Sequence, residues 1–184
     1  MQHCNKYVGI AASCLTLVGA LAAANATAGD GTVGFTATLK TTEFLLPAEN
    51  CKSGLGGIGV GAGTTNLFTK KPATDKTTAV LSSFDCVNPG EGGKTFFFGP
   101  GNFALTGPGG ESIFATYSGT LYLSGGTAEV PVYTFGNDAM FQITGGTGRY
   151  AKAVGSGTIS GTETINQATG TAQGSFSAVG KIVY

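Results

Sequence analysis

Apolar and polar residues alternate with a period of two along much of the chain, which predicts β-strands with one buried face. Val33, Phe35, Ala37 and Leu39 alternate with glycine, threonine and lysine, and the same alternation recurs over 175–184. Beyond the first thirty positions, no stretch repeats apolar residues at the 3.6-residue spacing of a helix for three turns. The pattern therefore predicts an all-β protein.

Turn signals rich in glycine separate the predicted strands at short intervals. The clearest is GPGGE at 107–111, and others are SGG at 124–126, FGND at 135–138 and NQATG at 166–170. Many short strands with frequent turns are typical of sandwiches and barrels, and we expect a single antiparallel β-barrel of about eight strands. The glycine-rich tract at 52–65 fits either a bent strand or a loop.

The first 26 residues have the pattern of a signal peptide. A polar start that contains Lys6 is followed by 18 uncharged, mostly apolar residues at 7–24 and by the small-residue site ANA at 24–26. We therefore expect residues 1–26 to be removed and 27–184 to form the barrel domain in the periplasm or outside the cell, with no stable membrane anchor after cleavage. A retained anchor is the alternative, since the apolar run is long enough to span a bilayer.

Two cysteines, Cys51 and Cys86, lie outside the predicted signal peptide and 35 positions apart. In an exported chain such a pair most simply forms a disulfide, worth roughly 3–4 kcal/mol for a loop of this size. Free or redox-active thiols are the alternative, although no C-x-x-C spacing supports them.

Composition excludes several kinds of chemistry. His3, the one histidine, lies in the predicted signal peptide, so neither a nucleophile–histidine pair nor a histidine-ligated zinc site is expected. No D-x-D pattern indicates calcium, and we expect no metal and no cofactor. After removal of Lys6 the chain keeps nine basic and ten acidic residues, which gives no basic face for nucleic acid.

The segment ITGGTGRYAKAVG at 143–155 contains Gly146, Gly148 and Ala151 in the G-x-G-x-x-A spacing of a dinucleotide site. That site requires a helix after the glycines, and the glycines that follow at 155 and 157 would break one. We interpret Gly145, Gly146 and Gly148 instead as a tight turn. Arg149 is expected to pin this turn by bonding nearby carbonyls or an acidic side chain, with an anion clamp as the alternative.

The segment around this turn resembles the allene oxide cyclase barrel-like group, which includes plant dirigent proteins and many exported bacterial proteins of unassigned function. Bacterial members commonly read G-G-T-G-R-[FY]-A-x-A-x-G-x-G-T. The chain matches at Gly145, Gly146, Thr147, Gly148, Arg149, Tyr150, Ala151, Ala153, Gly155, Gly157 and Thr158. The resemblance is good over 80–184 and looser over 30–79. It implies a barrel but transfers no activity, because one fold serves many functions.

We expect an exported barrel that binds, or acts on, a small apolar ligand in its lumen, and the sequence does not distinguish binding from catalysis. A fimbrial subunit that accepts a neighbour's strand is one alternative, and a small outer-membrane barrel is another. A homo-oligomer is compatible with all three.

One residue is nominated for the lumen. In TISGTETI at 158–165, the period of two places Glu163 on the same face as Ile159 and Ile165, which predicts that it points inward. An inward carboxylate with a raised pKa is a candidate ligand-binding or acid–base group, and a position near solvent or beside a lysine is the alternative.

Overall fold

The computed structural model describes residues 31–184, so the predicted signal peptide at 1–26 lies outside the described residues. Nine strands account for most of this part of the chain, together with two short 3-10 turns, Glu91–Gly93 and Gly148–Tyr150. The strands are β1 (Thr32–Pro47), β2 (Leu55–Thr65), β3 (Thr77–Pro89), β4 (Thr95–Thr106), β5 (Ser112–Gly126), β6 (Pro131–Phe135), β7 (Met140–Gly146), β8 (Val154–Asn166) and β9 (Thr171–Val183).

The strands form a closed antiparallel ring. Each of β1 to β5 pairs with its neighbour in sequence, β8 pairs with β9, and β9 returns to β1 over thirteen residue pairs. Both β6 and β7 lie between β5 and β8: β6 pairs with Leu121–Gly126 of β5, and β7 with Ile113–Ser118. The ring therefore has eight strand positions, which confirms the predicted all-β antiparallel barrel.

Alternation decides which side chains face the lumen. On β1, Phe35, Ala37 and Leu39 are buried, whereas Thr36, Thr38 and Lys40 are exposed. The core accordingly fills much of the interior with apolar residues from every strand position except that of β2, whose inward positions 57, 59, 61 and 63 are glycines. The glycine-rich tract that the sequence left open is mostly strand: β2 pairs with β1 over eleven positions.

One end of the barrel is closed by the segment that carries the glycine motif. Tyr150 is fully buried there beside Leu67, and its hydroxyl accepts a hydrogen bond of 2.9 Å from the backbone N–H of Phe68. The Tyr184 and Phe68 rings lie 4.6 Å and 5.2 Å from the Tyr150 ring. The 3-10 turn thus positions an aromatic plug across the end of the lumen.

Arg149 links this plug to its surroundings. Its Nε lies 3.3 Å from Oε2 of Glu111, its Nη1 donates a 3.1 Å hydrogen bond to the carbonyl of Thr69, and its guanidinium lies 4.9 Å from the centre of the Tyr150 ring. Because all three contacts hold neighbouring segments together, the geometry is that of a turn support.

Replacement of Gly148 by valine is expected to destabilise the protein by roughly 1–3 kcal/mol. Gly148 has φ +58°, a region that β-branched residues adopt only with strain, and an added Cβ would lie 2.6 Å from Oε1 of Glu111. Thermal or urea unfolding of the variant measures the loss. Gly109→Val is the matched control, because Gly109 lies in open space without a positive φ. Equal stability of the two variants would contradict the role of Gly148.

The predicted disulfide is confirmed. Cys51, in the β1–β2 connection, is bonded to Cys86 on β3, with their Cα atoms 5.3 Å apart. The bond holds that connection against β3 at the end of the barrel opposite Tyr150. Within residues 31–184, no helix is long and apolar enough to cross a membrane.

Candidate functional site

The barrel encloses a cavity with largely apolar walls. The cavity has a volume of about 80 Å³, which is room for several water molecules or a small ligand. Side chains that line it include Leu39, Leu81, Phe98, Phe103, Phe135 and Phe176. The lumen is therefore packed at its Tyr150 end and open further along.

Three carboxyl groups from three different strands face this cavity. Glu43 on β1, Asp85 on β3 and Glu163 on β8 all line it, together with Tyr117 on β5. We refer to Glu43, Asp85 and Glu163 as the acid cluster. Asp85 is 3 % exposed, whereas Glu43 and Glu163 are half-buried. Acidic side chains thus project into the apolar cavity from different sides of the ring, near the end that carries the disulfide.

Asp85 has an incomplete set of hydrogen bonds. The Tyr117 hydroxyl donates a 2.7 Å hydrogen bond to its Oδ2. Its Oδ1 is the one buried side-chain polar atom in residues 31–184 that has no hydrogen-bond partner. Burial raises the pKa of Asp85 to about 6, and the hydrogen bond from Tyr117 opposes this rise. A buried acceptor without a partner is costly, and a ligand donor would relieve that cost.

The pKa values of the two glutamates are also raised. Burial, followed by the charges of Glu163 and Asp85, raises the pKa of Glu43 to about 9. Burial and the charge of Asp85 raise the pKa of Glu163 to about 7. Near neutral pH the acid cluster as a group therefore holds more protons than three ordinary carboxyl groups would hold.

Glycines make room for these polar side chains. Across the ladders, Glu43 is paired with Gly59, Asp85 with Gly57 and Glu163 with Gly174. A Cβ built at Gly57 would collide with the Glu43 carboxyl and would lie 3.1 Å from Oδ1 of Asp85. These two carboxyl groups therefore lie on either side of one glycine, and a side chain there would displace them.

Basic side chains are separate from the acid cluster. No lysine or arginine is among the residues that line the cavity. The ion pair between Arg149 and Glu111 is the one salt bridge within the described range. That range also contains no group of three or more histidine, cysteine or acidic residues arranged to hold a metal ion. The acid cluster thus lacks a counter-charge from the described chain.

Sequence reasoning found one of the three acidic residues. Glu163 lies in the lumen wall, while Gly145, Gly146, Gly148 and Arg149 lie at the closed end, away from it. Glu43 and Asp85 were missed. Extending the period of two from Leu39 to Glu43 and from Leu81 to Asp85 would have placed both inward, but the run FLL at 44–46 obscures this alternation.

The fold and the site define a closed antiparallel β-barrel with a largely apolar lumen that contains an acid cluster. Comparison with protein-family models, curated proteins and solved structures finds no match for the chain. The resemblance to the allene oxide cyclase barrel-like group stays a prediction from the motif at 145–158.

Proposed function

We propose that this protein is an exported barrel that binds a small, mainly apolar molecule in its lumen and holds the ligand's polar group at the acid cluster. The observation that carries the proposal is the buried Oδ1 of Asp85, a residue of the cavity lining, which has no hydrogen-bond partner. An apolar pocket with a few convergent polar groups of perturbed pKa is the usual form of a ligand site.

The two ends of the barrel differ in burial, which supports entry of a ligand from one end. At the Tyr150 end, Leu67, Tyr150 and Ile182 are fully buried. At the other end, inward residues such as Leu45 and Phe96 retain partial exposure. A ligand that enters there would meet the acid cluster before the apolar interior. The Cys51–Cys86 disulfide at this end is typical of proteins that fold in an oxidising compartment.

The closed ring favours this proposal over a fimbrial subunit. Strand exchange between subunits needs a sheet edge that lacks a partner. In residues 31–184 every strand position is hydrogen-bonded on both sides. No position in this ring is left for a donated strand.

The mainly polar outer faces of β8 and β9 favour the lumen proposal over an outer-membrane barrel. Outward positions on β8 and β9 include Ser160, Thr162, Ser175 and Lys181, which are exposed. Ile159, Ile165 and Ile182 of these strands are buried, while Val154 and Val179 are exposed among the polar outer residues. An outer-membrane barrel has the reverse arrangement, with an apolar outer band and a polar interior.

Three benzyl compounds of different charge provide a test: benzyl alcohol, benzylamine and benzoate. We expect at least one of them to shift NMR signals of lumen residues such as Phe98 and Phe176. Ala178→Leu, which adds volume to the cavity wall, is expected to weaken that binding by about tenfold or more. Ala104→Leu on the half-exposed outer face is the matched control. If none of the compounds perturbs lumen residues of the unaltered protein, the proposal is wrong.

A further inference from the structure

We propose that the lumen selects an organic cation: a small amine whose ammonium group lies among Glu43, Asp85 and Glu163 and whose apolar body occupies the cavity. The inference rests on the proposed function and specifies the class of ligand.

Charge balance is the first argument. Three acidic side chains face one apolar cavity, and no basic side chain lines it. Every lysine in residues 31–184, like Arg149, is exposed. Proteins rarely retain buried carboxyl groups together without a compensating charge, because each disfavours ionisation of the others. A ligand ammonium would supply the missing charge and would gain from all three groups.

Asp85 provides the second, independent argument. Its Oδ1 is buried without a hydrogen-bond partner, while its Oδ2 accepts the hydrogen bond from the Tyr117 hydroxyl. An ammonium group has several N–H donors and no acceptor, so it satisfies such an oxygen directly. A ligand carboxylate would add a negative charge beside the acid cluster, and we expect it to be excluded.

Aromatic rings adjoin the acid cluster. The rings of Phe98 and Phe103 each have their centres 5.9 Å from that of Tyr117, the residue that contacts Asp85. Phe135 and Phe176 also line the cavity. Aromatic faces attract cations, and the attraction is stronger when the cation has left water. The same rings suit an apolar or aromatic ligand body.

The strands that flank the acid cluster add few titratable side chains to it, because most of the residues paired with the cluster are glycines. Beside Glu43 and Asp85, β2 contributes Gly57 and Gly59, and across from Tyr117, β4 contributes Gly101. Beside Glu163, β9 contributes Gly174 and β6 contributes Tyr133, whose hydroxyl donates to the carbonyl of Gly93.

The groups at this site that can change protonation state are the three carboxyl groups and the Tyr117 hydroxyl. Since burial keeps the Tyr117 hydroxyl protonated, the carboxyl groups control binding. A bound cation favours their ionised forms, so amine binding should release protons and should strengthen as the pH rises from 5 to 8.

The experiment compares benzylamine, benzyl alcohol and benzoate by calorimetric titration of the protein. We expect benzylamine to bind about tenfold or more tighter than benzyl alcohol at pH 7.5, and benzoate to bind most weakly. Benzylamine affinity is expected to fall about tenfold from pH 8 to pH 5 while benzyl alcohol affinity stays constant. Titrations in buffers of different ionisation enthalpy should show proton release with the amine alone.

Two variants connect the preference to the acid cluster. Asp85→Asn and Glu163→Gln are each expected to bring benzylamine and benzyl alcohol affinities to within about threefold of each other. Exposed Glu129→Gln is the control and should preserve the preference. Equal affinity of amine and alcohol for the unaltered protein at every pH would overturn the cation proposal and leave the lumen site intact. A preference that survives in both variants would also overturn it, whereas binding of no compound at all would overturn the proposed function itself.

Discussion

The free energy of unfolding is expected to fall as the pH rises from about 5 to about 9, which is opposite to the effect of salt-bridged carboxylates. The carboxyl groups of Asp85, Glu163 and Glu43 have folded-state pKa values of about 6, 7 and 9, against ordinary values of 3.8 for aspartate and 4.5 for glutamate. The folded state therefore binds more protons than the unfolded state across this interval. The contribution of these three carboxyl groups to stability is fully present below their ordinary pKa values and is lost as the pH rises through their folded-state pKa values.

The size of this loss depends on how far the pKa of each carboxyl group differs between the folded and unfolded states. Each pH unit between folded and unfolded pKa values corresponds to about 1.4 kcal/mol for one group. Partial exposure of Glu43 and Glu163 screens their charges, so we expect a total loss on the order of 3 kcal/mol. Urea unfolding at a series of pH values measures it.

Glu43→Gln is the decisive variant for this prediction. Of the three carboxyl groups, that of Glu43 has the largest rise in pKa on folding. Its removal should therefore make the variant about 1–2 kcal/mol more stable than the parent at pH 8. At pH 4 the two proteins should have nearly equal stability. Glu129→Gln, on an exposed residue, should follow the parent at every pH. A parent protein whose stability is constant or rises between pH 5 and pH 9 would rule out the buried acid cluster.

Tyr150→Ala is expected to destabilise the protein by about 3–5 kcal/mol, the usual cost of deleting a large buried aromatic side chain. Tyr150 is 0 % exposed, and its ring contacts those of Phe68 and Tyr184. Its loss would leave a cavity at the closed end and would remove the acceptor for the backbone N–H of Phe68. Thermal and urea unfolding measure the change.

Two comparisons divide this effect into its parts. Tyr150→Phe keeps the ring and removes the hydroxyl, so it should cost about 1–2 kcal/mol for the backbone donor left without a partner. Tyr122→Ala is the exposed counterpart, because Tyr122 is 51 % exposed, and it should change stability by less than about 0.5 kcal/mol. Similar losses for Tyr150→Ala and Tyr122→Ala would show that Tyr150 does not close the barrel.

The two ends of the barrel thus make opposite contributions to stability. The segment at 145–150 adds a fully buried ring and an ion pair at one end, while the acid cluster places unbalanced carboxyl groups near the other. Conflicts of this kind between local chemistry and folding are expected at functional sites. The conflict here supports the proposal that the acid cluster is part of a ligand site.

Local alternation was sufficient to predict parts of β1, β8 and β9 and to suggest the inward direction of Glu163. Side chains alternate between the two faces of a strand, so the faces of β1, β8 and β9 follow from their own residues. The turn at 107–111 was also predictable, because glycine and proline interrupt a strand wherever they fall in sequence. The interruption between β6 and β7 was not: FGND at 135–138 looks like any other turn, yet both strands share one position in the ring.

The sequence by itself predicted an all-β barrel, a disulfide between Cys51 and Cys86, and an inward direction for Glu163 with a position near solvent as the alternative. Tertiary structure alone decided that Glu43 and Asp85 join Glu163 in one cavity, that glycines make room for them, and that the motif at 145–150 closes the opposite end. The physical reason is that the face of a side chain depends on its own strand. Which side chains meet across the lumen depends on hydrogen-bond register between strands that are as much as 120 positions apart in sequence, as Glu43 and Glu163 are.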